Sequence, residues 1–157
     1  MELIPVIDLK DGVVVKAIAG RRKDYQPIRS HLFEGASPSA ALEGILRAGH
    51  FPTVYIADLD RLMGVGSQQD QIDGLVRSAP DVEFWVDSGW PDRRGPSWPP
   101  NMKPVIGTES FEKGEIPKSF GSCDEWILSL DFMASELIGP PAILSMRENW
   151  PRKVIVM

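Results

Sequence analysis

The chain has 157 residues, of which 43% are hydrophobic and 25% are charged, and its formal net charge is −5. This composition excludes a disordered chain, and the acidic balance excludes a nucleic-acid partner that needs a basic surface. No apolar stretch reaches the ~18 residues of a membrane-spanning helix, and the single cysteine, Cys123, excludes an internal disulfide framework. Because the N-terminus also lacks a basic leader, we expect a single cytoplasmic domain over residues 1–157, with no membrane partner.

Six short apolar runs predict the strands, and the first five end at an acidic residue or at a Gly-Thr pair. They are Ile4–Asp8, Val54–Asp58, Phe84–Asp87, Val105–Thr108, Ile127–Asp131 and Lys153–Met157. Buried parallel strands are near-continuous apolar runs, and α/β folds carry their chemistry at the carboxyl ends of such strands. The runs therefore predict both a parallel sheet and the edge at which a site forms.

The connections between these runs differ along the chain. An Asp-Gly turn at Asp11–Gly12 leads to a second extended segment over 13–18. Ser37–Pro38 predicts the start of a helix, with serine as the N-cap, and apolar residues at helical spacing predict another helix around 72–80. Five prolines between 91 and 104 predict a loop where a crossover helix is expected.

Alternating strands and helical stretches leave two architectures open, an open doubly wound sheet and a (βα)8 barrel. A doubly wound sheet usually carries a glycine-rich phosphate loop after its first strand, and this chain has Asp8–Gly12 there instead. Carboxylates at several strand ends favour the barrel, whose active site is assembled from many strand ends. We therefore expect an α/β fold of the (βα)8 TIM-barrel type, truncated after about five and a half units. Such a chain is expected to be a piece of a longer protein, because six strands cannot close an eight-stranded barrel.

Asp8 and Asp131 are the candidate catalytic pair, because carboxylates at opposed strand ends can divide into a general acid and a general base. The alternative is that each caps the loop or helix that follows it. Asp58 could bind a substrate hydroxyl, or it could form a loop ion pair. No spacing of ligand residues predicts a metal site.

A second group of residues could bind an anionic substrate. Gly107 and Thr108 could present backbone N–H groups and a hydroxyl to a phosphate, although a simple turn explains the pair equally well. Gly89 permits close backbone approach at another strand end. Arg21 and Arg22 lie on a long basic loop that could close over an anion or could be solvated surface.

Several of these motifs together resemble the histidine-biosynthesis barrels, the HisA/HisF-like family. The matching segments are Leu3–Val15, Ser37–Pro38, Tyr55–Asp60, Ile106–Thr108 and Leu128–Asp131. The family includes the phosphoribosylformimino-aminoimidazole-carboxamide ribotide isomerase. The resemblance implies that Asp8 and Asp131 catalyse an Amadori aldose-to-ketose rearrangement of a phosphorylated, ribose-linked substrate. It implies that Gly107 and Thr108 bind one substrate phosphate, and that no metal or organic cofactor is needed.

The chain departs from the family where a Gly-Gly-Gly motif normally follows the third strand. Asp87-Ser88-Gly89 stands there, and an aspartate would repel a phosphate. With the proline-rich loop in place of the third crossover helix and the Arg-rich first loop, this departure makes the chain similar to the HisA-related proteins of tetrahydromethanopterin- and methanofuran-linked one-carbon metabolism. That similarity implies the second alternative, an enzyme of one-carbon cofactor biosynthesis. A non-catalytic relative that binds a ligand or a partner is the third alternative, and a homo-oligomer is left open.

Overall fold

A computed structural model describes residues 2–18, 20–89, 98–111 and 125–157, and these contain ten strands and three α-helices. The strands are β1 Val6–Lys10, β2 Val13–Lys16, β3 Gln26–Pro27, β4 Thr53–Asp58, β5 Glu83–Asp87, β6 Met102–Gly107, β7 Ile127–Leu130, β8 Phe132–Met133, β9 Glu136–Leu137 and β10 Lys153–Val156. The helices are α1 Pro38–Ala48, α2 Leu59–Leu62 and α3 Gln69–Ser78. None of them is long and apolar enough to cross a bilayer. Cys123 and the proline-rich residues 91–97 lie outside the described residues.

The predicted strands and the two predicted helices are all present. Ser37 caps α1 as predicted, since its Oγ accepts a hydrogen bond from the backbone N–H of Ala40 at 3.3 Å. Pro38 occupies the first turn, and the helix ends before Gly49. The short elements β3, β8, β9 and α2 are additions that the sequence patterns did not predict.

Eight of the strands form one mixed sheet in the order β10-β7-β6-β5-β4-β1-β2-β3. From β1 through β4, β5, β6 and β7 to β10, each strand pairs in parallel with the next. The parallel strands therefore lie in chain order, and their carboxyl ends meet along one edge of the sheet.

A tight hairpin joins β1 to the antiparallel β2, with Lys10 opposite Val13. Asp11 and Gly12 form its two-residue turn at φ values of 49° and 82°. Two successive positive φ angles are the signature of a type I′ turn, for which Asp-Gly is a preferred pair. The local sequence thus determines where the second strand lies.

This hairpin and the strand order correct the barrel prediction. Within the described residues the sheet is open, because β10 pairs only with β7 and β3 pairs only with β2. The free side of β1, which a closing strand would need, is occupied by β2. The expected (βα)8 TIM-barrel fold is therefore wrong. The expected isomerase activity and role in histidine biosynthesis rested on the resemblance to the HisA/HisF-like barrels. The open sheet with three α-helices in the described residues gives them no support.

The two faces of the sheet carry different residues, as the two-residue period of a strand requires. Ile7, Ile56, Phe84 and their alternate neighbours pack against α1 and α3. Tyr55, Ala57, Val105 and Ile127 lie on the other face, where Trp85 and Ile155 are only partly buried. The described helices therefore leave this second face partly uncovered, and the sheet is not doubly wound.

The uncovered face is concave. The Lys153 ammonium on β10 contacts a Glu83 carboxylate oxygen on β5 at 2.8 Å, although two strands lie between β10 and β5. Three strand spacings on a flat sheet would be about 14 Å. The lysine and glutamate side chains together reach that far only when both lie extended along the sheet, whereas strand side chains stand roughly perpendicular to it. The contact therefore indicates that the sheet curves toward this face.

Candidate functional site

A cleft of about 650 Å³ occupies the concave face and extends to the carboxyl ends of the parallel strands. Its charged lining residues in the described ranges are Asp8, Arg22, Asp87, Glu109 and Asp131. Aromatic and aliphatic side chains, including Tyr25, Tyr55, Trp85, Phe132 and Ile155, form its walls. A mostly apolar cleft of this size with a few convergent polar groups is typical of a small-molecule site.

Asp8 lies near the middle of β1 and points into the cleft. Burial raises the pKa of its carboxyl group above the ordinary value, and the positive charge of Arg22 partly offsets that effect. No residue in the described part of the chain donates a hydrogen bond to this carboxyl group. Asp8 is thus a partly buried carboxyl group with a raised pKa.

Asp131 follows β7 directly and reaches the same cleft. Its Oδ1 accepts a hydrogen bond from the Ser129 hydroxyl at 2.6 Å, and its Oδ2 accepts one from the Glu109 backbone N–H at 3.3 Å. Burial raises the pKa of Asp131, while the hydrogen bonds from Ser129 and Glu109 act in the opposite direction. The structure therefore brings the two predicted catalytic carboxyl groups to one cleft.

Gly107 and Thr108 face Asp131 instead of open space. The Thr108 hydroxyl oxygen accepts a hydrogen bond from the Asp131 backbone N–H at 3.0 Å. A Cβ atom on Gly107 would lie 2.6 Å from Asp131 Oδ2, so a larger residue there would displace this carboxylate. The groups predicted to hold a phosphate thus surround an internal carboxylate. Phosphate binding at this position stays a prediction.

Asp87, at the end of β5, is a site residue whose role the sequence did not reveal. Only 4% of its surface is exposed, and its Oδ2 accepts a hydrogen bond from the Tyr55 hydroxyl at 3.1 Å. Burial raises the pKa of Asp87 to about 6, although hydrogen bonds from Gly89 and Tyr55 oppose the increase. Burial and the nearby Asp87 carboxylate raise the pKa of Tyr55 as well. The period of two in β4 and β5 places both side chains on one face, but their contact depends on the register between the strands.

Arg22 brings the basic loop to the cleft. Its guanidinium forms an ion pair with Glu109 at 2.5 Å, which joins the loop after β2 to the turn after β6. Arg21 instead pairs with Asp24 at 3.5 Å and is mostly exposed, so it is not among the residues that line the cleft. Of the two predicted arginines, the structure places only Arg22 in the site.

Asp58 and Gly89 have local structural roles. The Asp58 carboxylate is fully buried and accepts backbone hydrogen bonds from Arg61 at 3.0 Å and Gln68 at 2.7 Å. It therefore caps α2 and fixes the loop before α3. Gly89 has a φ of 72° and donates its N–H to Asp87 Oδ1 at 3.1 Å. Within the described ranges, no group of three or more His, Cys, Asp or Glu side chains is placed to hold a metal ion.

Comparison with known proteins gives a distant relative. The chain is 28% identical over 143 residues to an uncharacterized protein of Methanocaldococcus jannaschii. The match covers 88% of this chain and 59% of that protein, so the chain spans less than two thirds of the length of its relative. No family model matches the sequence. The resemblance to the HisA/HisF-like family therefore gains no support from these comparisons.

Proposed function

We propose that the protein is an enzyme that transfers protons to and from a small molecule bound in the cleft, with the carboxyl groups of Asp8 and Asp131 as acid and base. The observation that supports this most is the convergence on one cleft of Asp8 in β1, Asp87 at the end of β5 and Asp131 directly after β7. Burial raises the pKa of each of these carboxyl groups. Perturbed carboxyl groups gathered in a cleft are characteristic of acid–base sites.

The surroundings of the two carboxyl groups favour different roles for them. Asp131 accepts hydrogen bonds from Ser129 and from the Glu109 backbone, and such bonds stabilise an ionised carboxylate. Asp8 receives none from the described residues, so only the positive charge of Arg22 opposes the effect of burial on its pKa. Asp131 is accordingly the base in this proposal, and Asp8 is the acid that donates a proton to the ligand.

The apolar walls of the cleft also favour proton transfer by the carboxyl groups. Tyr55 and Trp85 lie beneath the carboxyl groups on the neighbouring strands β4 and β5, in register with each other. A ligand held against them displaces water from the carboxyl groups, which strengthens their interaction with the reacting atoms. A volume of about 650 Å³ suits a small organic molecule.

Deuterium incorporation tests this proposal without a known substrate. The chain is incubated in D₂O with pooled sugar phosphates, 2-oxo acids and amines, and mass spectrometry identifies any compound that gains a deuteron. We expect exchange in at least one compound, reduced by at least about 100-fold in Asp8→Asn and in Asp131→Asn.

Asp81→Asn is the matched control, because Asp81 is exposed and lies in the turn before β5. It should exchange at the wild-type rate, and circular dichroism should show that all variants are folded. Wild-type exchange in the Asp131→Asn variant, or the absence of any exchange with the unmodified chain, would contradict the proposal.

Three further expectations from the sequence stay predictions. These are the phosphorylated, ribose-linked substrate, the role in one-carbon cofactor metabolism and the cytoplasmic location. A homo-oligomer is likewise neither supported nor opposed by the fold.

A further inference from the structure

We propose that the ligand of this cleft is an organic amine, bound as its ammonium ion between the aromatic walls and the strand-end carboxylates. This inference rests on the site of the proposed function and names the class of its substrate. It does not depend on which carboxyl group transfers the proton.

The charges of the cleft are unbalanced. Within the described ranges, four carboxyl groups line it and Arg22 is the single cationic side chain among the lining residues. The contact of Arg22 is with Glu109, although its charge also influences Asp8 and Asp87. Asp8, Asp87 and Asp131 therefore have no ion-pair partner in the described part of the chain. The segments 90–97 and 112–124 contain four acidic and four basic residues, so they add no net charge to the chain.

Asp87 gives the strongest evidence that a cationic ligand would balance the negative charge of the cleft. The side chain is 96% buried and yet lines the cleft. Among the described residues, only the neutral Tyr55 hydroxyl and the Gly89 backbone N–H donate hydrogen bonds to it. Buried carboxylates are normally paired with a cation. A ligand with a positive charge would supply the missing partner, whereas a phosphate dianion would add repulsion.

The hydroxyl and the backbone N–H that could bind an anion at the turn after β6 already face the Asp131 carboxylate. The Glu109 backbone N–H donates to Asp131 Oδ2, and the Thr108 hydroxyl lies 3.5 Å from the same oxygen. A phosphate at this turn would have to replace the Asp131 carboxylate while remaining close to it. The turn therefore favours the internal carboxylate over an external anion.

The cleft wall already binds an ammonium group of the protein itself. The Lys153 ammonium lies 4.8 Å from the centre of the Trp85 ring and 2.8 Å from a Glu83 carboxylate oxygen. An aromatic face combined with a carboxylate is the usual recognition of organic cations. Near the strand ends, Tyr25, Tyr55 and Asp87 offer a ligand the same combination.

Binding of three probes of similar size tests the inference. Isothermal titration calorimetry at pH 8 compares 2-phenylethylamine, 2-phenylethanol and phenyl phosphate with the full chain. We expect the amine to bind at least about tenfold more tightly than the alcohol, and phenyl phosphate to show no saturable binding. Asp87→Asn should remove most of the preference for the amine, and the control Asp81→Asn should keep it.

Because Asp87 is buried, Asp8→Asn provides a second variant at a carboxyl group that lacks hydrogen bonds from the described residues. It should also weaken binding of the amine relative to the alcohol. Equal affinities for amine and alcohol, or tighter binding of phenyl phosphate, would overturn the inference. Amine binding without deuterium exchange would instead refute the proposed catalysis and leave the ligand class standing.

Discussion

Replacement of Asp87 by asparagine should stabilise the protein at high pH and have little effect at low pH. The carboxyl group is almost fully buried, and asparagine can keep both of its contacts. The asparagine oxygen can accept from the Gly89 N–H, and its amide can donate to the Tyr55 hydroxyl oxygen. The variant therefore removes the buried charge while the packing stays the same.

The pKa of Asp87 sets the size of the effect. Its pKa rises from 3.8 in the unfolded chain to about 6 in the folded protein. At 1.36 kcal/mol per pKa unit, a difference of about 2.2 corresponds to about 3 kcal/mol. Because the pKa of Asp87 is higher in the folded protein than in the unfolded chain, the protonated carboxyl group makes its full contribution to stability below pH 3.8. The wild type loses this contribution as the pH rises from 3.8 through about 6.

Urea unfolding of the wild type and Asp87→Asn at pH 3.5, 5, 6 and 8 measures this difference. The asparagine variant should be more stable by about 3 kcal/mol at pH 8 and about equal to the wild type at pH 3.5. The other carboxyl groups are common to both proteins, so the difference isolates Asp87. A difference that does not change with pH, or a variant that is less stable at pH 8, would refute this reasoning.

Three further substitutions test other contacts of the fold and the site. Tyr55→Phe removes the hydrogen bond that stabilises the ionised Asp87. The pKa of Asp87 should therefore rise by about 1 to 2 pH units in a ¹³C-carboxyl NMR titration. An unchanged or lower pKa would argue against the hydrogen bond. Gly107→Ala places a Cβ atom 2.6 Å from Asp131 Oδ2 and should move that carboxylate. We expect deuterium exchange to slow by about 10- to 100-fold with little change in melting temperature. A normal exchange rate would show that the position of this carboxylate does not matter. Ser37→Ala removes the N-cap of α1 and should lower the free energy of unfolding by about 1 kcal/mol in urea, whereas an unchanged midpoint would mean that the cap is not stabilising.

The sequence predicted the strands well because each strand is encoded locally. Six apolar runs became the six parallel strands, and Asp11–Gly12 and Ser37–Pro38 determined a hairpin and a helix start through their own backbone preferences. Strands of two residues and helices of a single turn, such as β3 and α2, are too short to show a period.

Closure of the sheet was not predictable in the same way. It depends on which strand pairs with the free side of β1, and hydrophobic runs carry no information about that choice. The structure shows that β2 takes this position, so the sheet stays open. The barrel prediction failed at the level of long-range pairing, while the prediction of the individual strands succeeded.

The site shows the same division between local and long-range information. The position of Asp8 and Asp131 at the ends of apolar runs was enough to predict that they share one cleft. Asp58 also ends an apolar run, but the register partner of Asp8 and Asp87 is Ala57, so Asp58 faces the other side of the sheet and caps α2. The sequence of the run does not show this register. The raised pKa of Asp87 depends on burial and on Tyr55 from the neighbouring strand, and a single sequence shows neither.

The pH dependence of deuterium exchange tests acid–base catalysis in the cleft most directly. With Asp131 ionised and Asp8 protonated in the active form, the rate should follow a bell-shaped curve, falling at low pH as Asp131 gains a proton and at high pH as Asp8 loses its own. Asp8→Asn should remove the alkaline limb, and Asp81→Asn should leave both limbs in place. A rate that is independent of pH in the wild type, or an alkaline limb that persists in Asp8→Asn, would contradict the assignment of these two carboxyl groups.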